Sequence, residues 1–388
     1  MLKKIAANRF LKSLEKIEKG SIRVTSPEGT LYEFHGQTAG AAAHIQLHDW
    51  QVPARLAMKG NVAFAEDYAH GLWESHDLEQ LSVFGLQNKE ILKSYILGNG
   101  VGRIGDFFSY LGRRNSLDGS RKNIPAHYDL GNEFYKLWLD PGMTYSSALF
   151  AEGDTLDQAQ DRKYDRMIDG LGSLSGSVLE IGCGWGGFAD RALDRGDYTI
   201  KGITLSHEQK SWAENRLGGK TAAAVKLEDY RHQEGQYDHI VSIEMFEAVG
   251  MEYWHTYFSK VADLLKKGGR AMIQTITIKD DDFHEYKNAT DFIRSHIFPG
   301  GMLPSLENFK HYAHKSGLKV TDVFGFGHDY AHTLRHWLNN FDAKKDAVQA
   351  MGFDENFMRM WRFYLAGCAA GFATGQTDVM QIRLAHAD

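Results

Sequence analysis

Val178-Leu179-Glu180-Ile181-Gly182-Cys183-Gly184-Trp185-Gly186-Gly187-Phe188 decides the fold. The short apolar run at its start reads as a buried strand. The run stops at a glycine turn, and Phe188-Ala189-Asp190-Arg191-Ala192-Leu193 continues as a helix. Glycines at 182, 184 and 186 let the backbone pass close to a ligand with no Cβ in the way. The helix N-terminus that follows presents unpaired N–H groups and a partial positive charge, which suits an anionic group. Such a turn also occurs as a purely structural device in α/β proteins. The strand before it and the helix after it favour a nucleotide or cofactor site.

Gly182, Gly184 and Gly187 also fit G-x-G-x-x-G, the dinucleotide pattern. Two details count against a nicotinamide cofactor. Glu180 precedes the turn, giving Glu-x-Gly-x-Gly-x-Gly, the form seen in class I S-adenosylmethionine methyltransferases. The second strand, Tyr198 to Leu205, ends without the acidic residue that would grip an NAD ribose. It ends instead near Thr204, Ser206 and Gln209, which are neutral hydrogen-bonding groups.

At 388 residues the chain is long enough for two domains. A net charge of −6 gives no global basic character for nucleic acid. Cys183 and Cys368 are the only cysteines, so no disulfide framework is implied and a reducing compartment is expected. No apolar run approaches the ~18 residues of a membrane span, and no signal-peptide pattern is visible. The expected location is cytoplasmic. Residues 1–19 are locally basic, and Leu2, Ala6, Phe10, Leu14 and Ile17 share one helical face. A basic amphipathic helix of this kind suits an anionic membrane surface, whereas the same pattern also packs against its own domain.

Residues 1–110 read as a small α+β domain. Ser21–Thr25 and Thr30–Phe34 alternate like strands around the turn Ser26-Pro27-Glu28-Gly29, Ile45–His48 is a further strand, and Leu78–Lys93 is helical. Residues 111–126 are polar, basic and Gly/Ser-containing, which reads as a linker or mobile loop. From 127 to 388 strands and helices alternate. Strands are expected at 177–181, 199–204, 222–226, 238–243, 269–276, 318–325 and 377–384, with helices beginning near Gly187, His207 and Tyr253. The expected fold is α/β, a seven-stranded, doubly wound, Rossmann-like sheet. Residues 279–315 and 333–373 are largely helical, too long for simple connections, and read as substrate-covering insertions.

Several ordered motifs carry a family resemblance. They include His127-Tyr128-Asp129-Leu130-Gly131-Asn132, Met143-Thr144-Tyr145-Ser146-Ser147, Gly182-Cys183-Gly184-Trp185-Gly186 and Gly202-Ile203-Thr204-Leu205-Ser206. Further along come Ser242-Ile243-Glu244-Met245-Phe246-Glu247-Ala248-Val249-Gly250, Phe298-Pro299-Gly300-Gly301, Asp329-Tyr330 and Tyr364-Leu365-Ala366-Gly367. With these motifs the chain resembles the cyclopropane-fatty-acyl-phospholipid synthase family over nearly its whole length. Residues 1–110 are similar to the lipid-carrier-like domain of the phospholipid-acting members.

The resemblance implies methyl transfer from S-adenosylmethionine to a cis double bond in a fatty acyl chain of a membrane phospholipid. It therefore implies an enzyme lying peripherally on the inner, anionic face of the membrane. Neither a nucleic-acid partner nor a metal is implied, and a homodimer is compatible with the sequence. An alkene is a weak nucleophile, so rate must come from placement. The carbocation that results needs a dry, aromatic-lined site. Trp185, Phe246, Phe298, Phe326, Tyr330 and Tyr364 are candidates for that lining.

A bound bicarbonate is the family's base, held by a Cys, a Glu, a His and a Tyr. The resemblance puts Glu247 and Tyr330 at two of those positions, Ser147 at the Cys position and Gln274 at the His position. Tyr128 joins them as a catalytic candidate, and Ala248 stands where many members have His. The Ser147/Gln274 pair points to a branch whose product is a methylated or methylene chain instead of a ring. For the cofactor, Tyr145, Ser146, Glu180, Gly182, Cys183 and Gly184 are expected near the amino acid moiety. Thr204, Leu205 and Gln209 are expected at the ribose, with Leu227 and Glu228 at the adenine. Replacing Glu247 by Gln is expected to lower turnover strongly. A small-molecule methyltransferase on the same fold and a non-catalytic lipid-binding protein are the competing classes.

Overall fold

A computed structural model describes residues 2–98 and 130–387. The expected linker at 111–126 and Tyr128 lie outside the described residues. The chain divides into two compact units. One comprises the described residues of Met1–Gly112, His284–Pro299 and Trp337–Gln376, and the other those of Arg113–Phe283, Gly300–His336 and Thr377–Asp388.

In the first unit, strands β1 (Lys19–Thr25), β2 (Leu31–His35), β3 (Thr38–Leu47) and β4 (Trp73–Glu74) form a sheet in the order β2-β1-β3-β4. The β1–β2 turn closes as its residues require. Ser26 Oγ accepts the N–H groups of Glu28 and Thr30, and Gly29 takes a φ of 84°. The segment 78–93 is helical as expected, in two helices, Leu78–Gln87 and Lys89–Ile96. Asn88 breaks it, because its buried side chain accepts from the backbone of Glu18 and Lys19 and donates to Lys19 and Phe84 carbonyls. Of the two readings of the first helix, Leu2–Leu14, packing on its own domain is the one its second half follows. Phe10 and Leu14, with Ile17 just beyond, are buried in one core with Ile22, Val24, Trp73 and Phe84. Among the described residues no helix is long and apolar enough to cross a membrane.

The second unit is built on seven strands: β5 (Ser175–Ile181), β6 (Asp197–Thr204), β7 (Ala223–Leu227), β8 (Tyr237–Ile243), β9 (Leu265–Ile278), β10 (Leu318–Gly325) and β11 (Thr377–His386). Their order is β10-β11-β9-β8-β5-β6-β7. β11 runs antiparallel to both β9 and β10, and the other pairs are parallel. Central strands covered on both faces need continuous apolar runs. β5 is buried over its last four residues, Val178, Leu179, Glu180 and Ile181, three of them apolar. Helix Leu156–Leu171 starts with a capping box between Thr155 and Gln158 and lays Met167, Ile168 and Leu171 on the sheet. Chain order reverses between β5 and β8, and in open α/β sheets ligands bind at the strand carboxyl ends beside such a reversal.

Candidate active site

Immediately after β5, Gly182 and Gly184 adopt φ of 81° and 51°. A Cβ on Gly182 would sit 2.8 Å from the Met245 side chain, so the turn after β8 can close down on it only because the residue is glycine. At Gly184 a Cβ would meet nothing within 4 Å and would project into open space. A cavity opens at this point. Its walls are the ends of β5, β6 and β8, the segment Met143–Ser146, and Glu228–Arg231 after β7.

Most residues expected at the cofactor come together on this cavity. Tyr145, Ser146, Glu180, Gly182, Cys183, Gly184, Thr204, Leu205, Gln209 and Glu228 all line it, as does Trp185. Thr204 donates to Gln209 Oε1 at 2.8 Å, which fixes both polar ends at the β6 wall. Glu228 is held by Lys201 at 2.7 Å and by Gln233 at 3.0 Å. Leu227 is an exception: it is exposed and does not line the cavity, because the end of edge strand β7 turns it outward.

The cavity is electrostatically suited to a cation. Glu180 is buried, and its Oε2 has no hydrogen-bond partner among the described residues. Burial pushes its pKa up to about 8 against the pull of Lys163. Lys163 is itself fully buried and donates to Ser146 Oγ at 2.7 Å. Burial pushes it down to about 8, against the charges of Glu244, Asp140 and Glu180. An orphaned carboxylate oxygen and an open glycine cradle fit a ligand that carries a sulfonium and an ammonium group.

The opposite wall differs from expectation. Ser147, Gln274 and Tyr330 do converge, but on a protein carboxylate. The backbone N–H of Ser147 donates to Glu244 Oε1 at 2.9 Å, and Gln274 Nε2 donates to the same oxygen at 2.8 Å. Tyr330 donates to Glu244 Oε2 at 2.6 Å. Three of the four residues expected at a bicarbonate therefore contact Glu244, Ser147 through its backbone alone. The Ser147 hydroxyl itself points elsewhere, to the Ala148 carbonyl at 3.0 Å. Burial pushes Glu244 above the usual carboxylate range, and Tyr330, Ser147, Gln274 and Lys163 pull it back.

Glu244 is also strained, with φ of 49°. A left-handed non-glycine residue costs of order 1–3 kcal/mol and marks functional sites. The other non-glycine residue with positive φ among the described residues is Met143, which lines the same cavity. Glu244 stands inside a motif quoted from the sequence, three residues before Glu247. Its strand-terminal position beside that motif glutamate was the only signal.

Glu247 does not line the cavity. One carboxylate oxygen accepts the Ile276 N–H, and its own carbonyl accepts the Met302 N–H at 2.8 Å. Oε2 has no hydrogen-bond partner among the described residues. Burial, then the charge of Glu244, pushes its pKa up to about 8. Of the two neighbouring carboxyls, Glu244 has three donors, which favour its charged form. Among the aromatic candidates, Phe246 is a core residue. It is fully buried in a cluster with Trp254, Tyr257, Phe258 and Phe309. Phe326 is buried and stacked on Phe324, while Phe298 and Tyr364 pair with one another in the first unit.

The family model described as mycolic acid cyclopropane synthetase matches residues 115–382. The tuberculostearic acid methyltransferase of Mycobacterium tuberculosis is 38% identical over 84% of this chain and 79% of its own length. The cyclopropane-fatty-acyl-phospholipid synthase of Escherichia coli K12 is 32% identical over 88% and 87%. Among solved structures, a mycolic acid cyclopropane synthase complexed with S-adenosylhomocysteine and CTAB superposes with a TM-score of 0.64. It has 33% identity and covers 68% of this chain and 97% of its own.

Proposed function

The chain belongs to the mycolic acid cyclopropane synthetase family of S-adenosylmethionine-dependent methyltransferases, and on that premise we propose that it methylates the double bond of an unsaturated fatty acyl chain, with Glu244 as the resident base. S-adenosylmethionine, when bound, supplies an electrophilic methyl group. The turn Gly182–Gly184, Tyr145, Ser146 and Glu180 would hold its amino acid end, and Thr204, Gln209 and Glu228 the nucleoside end. The observation that carries the reading is the Glu244 carboxylate, lining the cavity and fixed by Tyr330, Gln274 and Ser147.

The alkene's π pair forms the new C–C bond, and the neighbouring carbon becomes a cation. That cation must lose one proton. Glu244 takes it, and the C–H pair becomes a new carbon–carbon bond. Loss from the transferred methyl with closure onto the cation gives a ring. Loss from the same methyl after a hydride shift gives a methylene, and loss from a chain carbon gives a methyl-branched alkene. A base tethered to the protein needs no bicarbonate. We infer an open-chain product, in line with Ser147 and Gln274 at the positions of the ring-formers' Cys and His. A relative named as a tuberculostearic acid methyltransferase supports the same choice.

We take phospholipid acyl chains, met at the inner face of the membrane, as the substrate class, which the name of the E. coli relative favours. The test is expression in a bacterium rich in monounsaturated phospholipid, followed by mass spectrometry and proton NMR of the fatty acid methyl esters. A mass gain of one methylene unit without upfield ring protons is expected. Ring protons at full yield would overturn the open-chain reading.

A further inference from the structure

Behind Glu244 lies a line of hydrogen bonds that can run in one direction only. Arg166, on helix Leu156–Leu171, donates from Nη1 to Gln381 Oε1 at 2.9 Å. A guanidinium has no acceptor, so Gln381 must present its oxygen there. Its Nε2 then donates to Gln274 Oε1 at 3.0 Å, and to the Lys163 carbonyl at 3.2 Å. A carbonyl can only accept, so it fixes the same orientation independently. Gln274 is left with its Nε2 facing Glu244 Oε1 at 2.8 Å. Gln381 and Gln274 are direct cross-strand partners of β11 and β9, and both are completely buried. Amide orientation is normally inferred from the surrounding network. Here donor-only and acceptor-only groups at both ends dictate it.

We propose that Arg166 and Gln381 are positioning residues that, through Gln274, lock an N–H donor onto Glu244 and so keep that carboxylate in its basic form. The proposal rests on the reading of Glu244 as the base. Arg166 is well placed as the anchor of the line. It is only partly exposed, its guanidinium lies 3.9 Å from the Phe324 ring centroid, and Asp322 pairs with it at 3.4 Å. Reversing the amide of Gln274 would set a carbonyl oxygen against a carboxylate, removing a donor and adding repulsion. Other titratable groups also bear on Glu244: Lys163 from helix Leu156–Leu171, Tyr330 from helix Gly327–Ala343, and Glu247 from the turn after β8. Glu180 at the end of β5 lines the same cavity. None of these changes in the variants below.

The test uses the full-length protein with Gln381→Glu, Gln381→Met and Arg166→Met. Glutamate at 381 keeps the shape and still accepts from Arg166, but it has no donor for Gln274. It therefore turns the Gln274 amide over. Methionine only removes the lock. Two readouts apply: the pH profile of turnover, and titration of the Glu244 carboxyl by carbon-13 NMR in ligand-free protein, assigned by its loss in Glu244→Gln. The acid limb should move up by about one pH unit in Gln381→Glu, or about tenfold lower turnover below the limb. It should move less in Gln381→Met and least in Arg166→Met. A role in packing alone would reverse this order, with Glu better tolerated than Met and the carboxyl titration unmoved, which would overturn the proposal. Should Gln381→Glu not fold, Arg166→Met at the partly exposed end decides: an unmoved Glu244 titration overturns the proposal, an upward shift supports it. If Glu244→Gln keeps full turnover, it is the base assignment that fails, and the NMR titration still reports separately on the relay.

Discussion

Tyr330 gives its phenolic hydrogen to Glu244 Oε2 at 2.6 Å, across 86 residues of chain. The contact joins the first turn of helix Gly327–Ala343 to the end of β8, and it uses the oxygen that Ser147 and Gln274 leave free. A hydrogen bond to a charged group contributes about 1.5–3 kcal/mol. Tyr330→Phe should therefore raise the pKa of Glu244 and move the acid limb of the pH–rate profile upward. Turnover below the limb should fall roughly tenfold or more, with the loss shrinking as pH rises. A pH profile of the variant against wild type checks this.

Because Gln274, Tyr330 and the Ser147 N–H are engaged with Glu244, wild-type turnover should not change when carbon dioxide and bicarbonate are stripped from the buffer. Glu244→Gly should behave differently. Glycine suits the φ of 49° at this position and leaves room for a small anion. Added bicarbonate or formate should restore part of the variant's activity in a concentration-dependent way. Steady-state rates in degassed and supplemented buffers make the comparison. A bicarbonate requirement in the wild type would contradict the assignment.

Glu180 should reveal itself through protons. Burial pushes it up to about 8, so at pH 7 it is mostly protonated in the free protein. A cationic ligand beside it favours the charged form and lowers its pKa, so binding should release a proton. Calorimetry of S-adenosylmethionine binding at pH 7, in buffers of different ionisation enthalpy, should show net release. Glu180→Gln should reduce it.

Gly182→Ala tests the closeness of the turn to the β8 loop. The added Cβ meets Met245 at 2.8 Å, on a backbone with φ of 81°. Strain of order 1–3 kcal/mol is expected. The variant should melt at lower temperature and bind S-adenosylhomocysteine more weakly, as followed by thermal unfolding and calorimetry.

The sheet and the cofactor cavity were legible in the sequence because their signals are local. A glycine turn after an apolar run marks β5, and regular alternation marks the other strands. The wall around Glu244 was legible only in part. Ser147, Gln274 and Tyr330 could be found through motifs, but what they hold could not. Their meeting point is set by the pairing of β8, β9 and β11 and by a helix far along the chain. A lone glutamate at a strand end carries no periodic signal, and the family motif singles out the glutamate three residues later. The first helix is ambiguous in sequence for a related reason. Phe10, Leu14 and Ile17 form the same stripe whether it meets a membrane or its own core, and here it is the core. Gln381 lacks any sequence signal, since its meaning lies in being opposite Gln274.

Turnover of Glu244→Gln, measured beside Glu247→Gln, tests the base assignment most directly. Gln at 244 keeps the shape of the site but cannot take a proton, so turnover should fall by about 10²–10⁴-fold, with S-adenosylhomocysteine binding near that of wild type. Burial and Glu244 beside it push Glu247 up to about 8, towards its neutral form, so Glu247→Gln should lose far less. Near-normal turnover in Glu244→Gln, with the large loss in Glu247→Gln instead, would contradict the account.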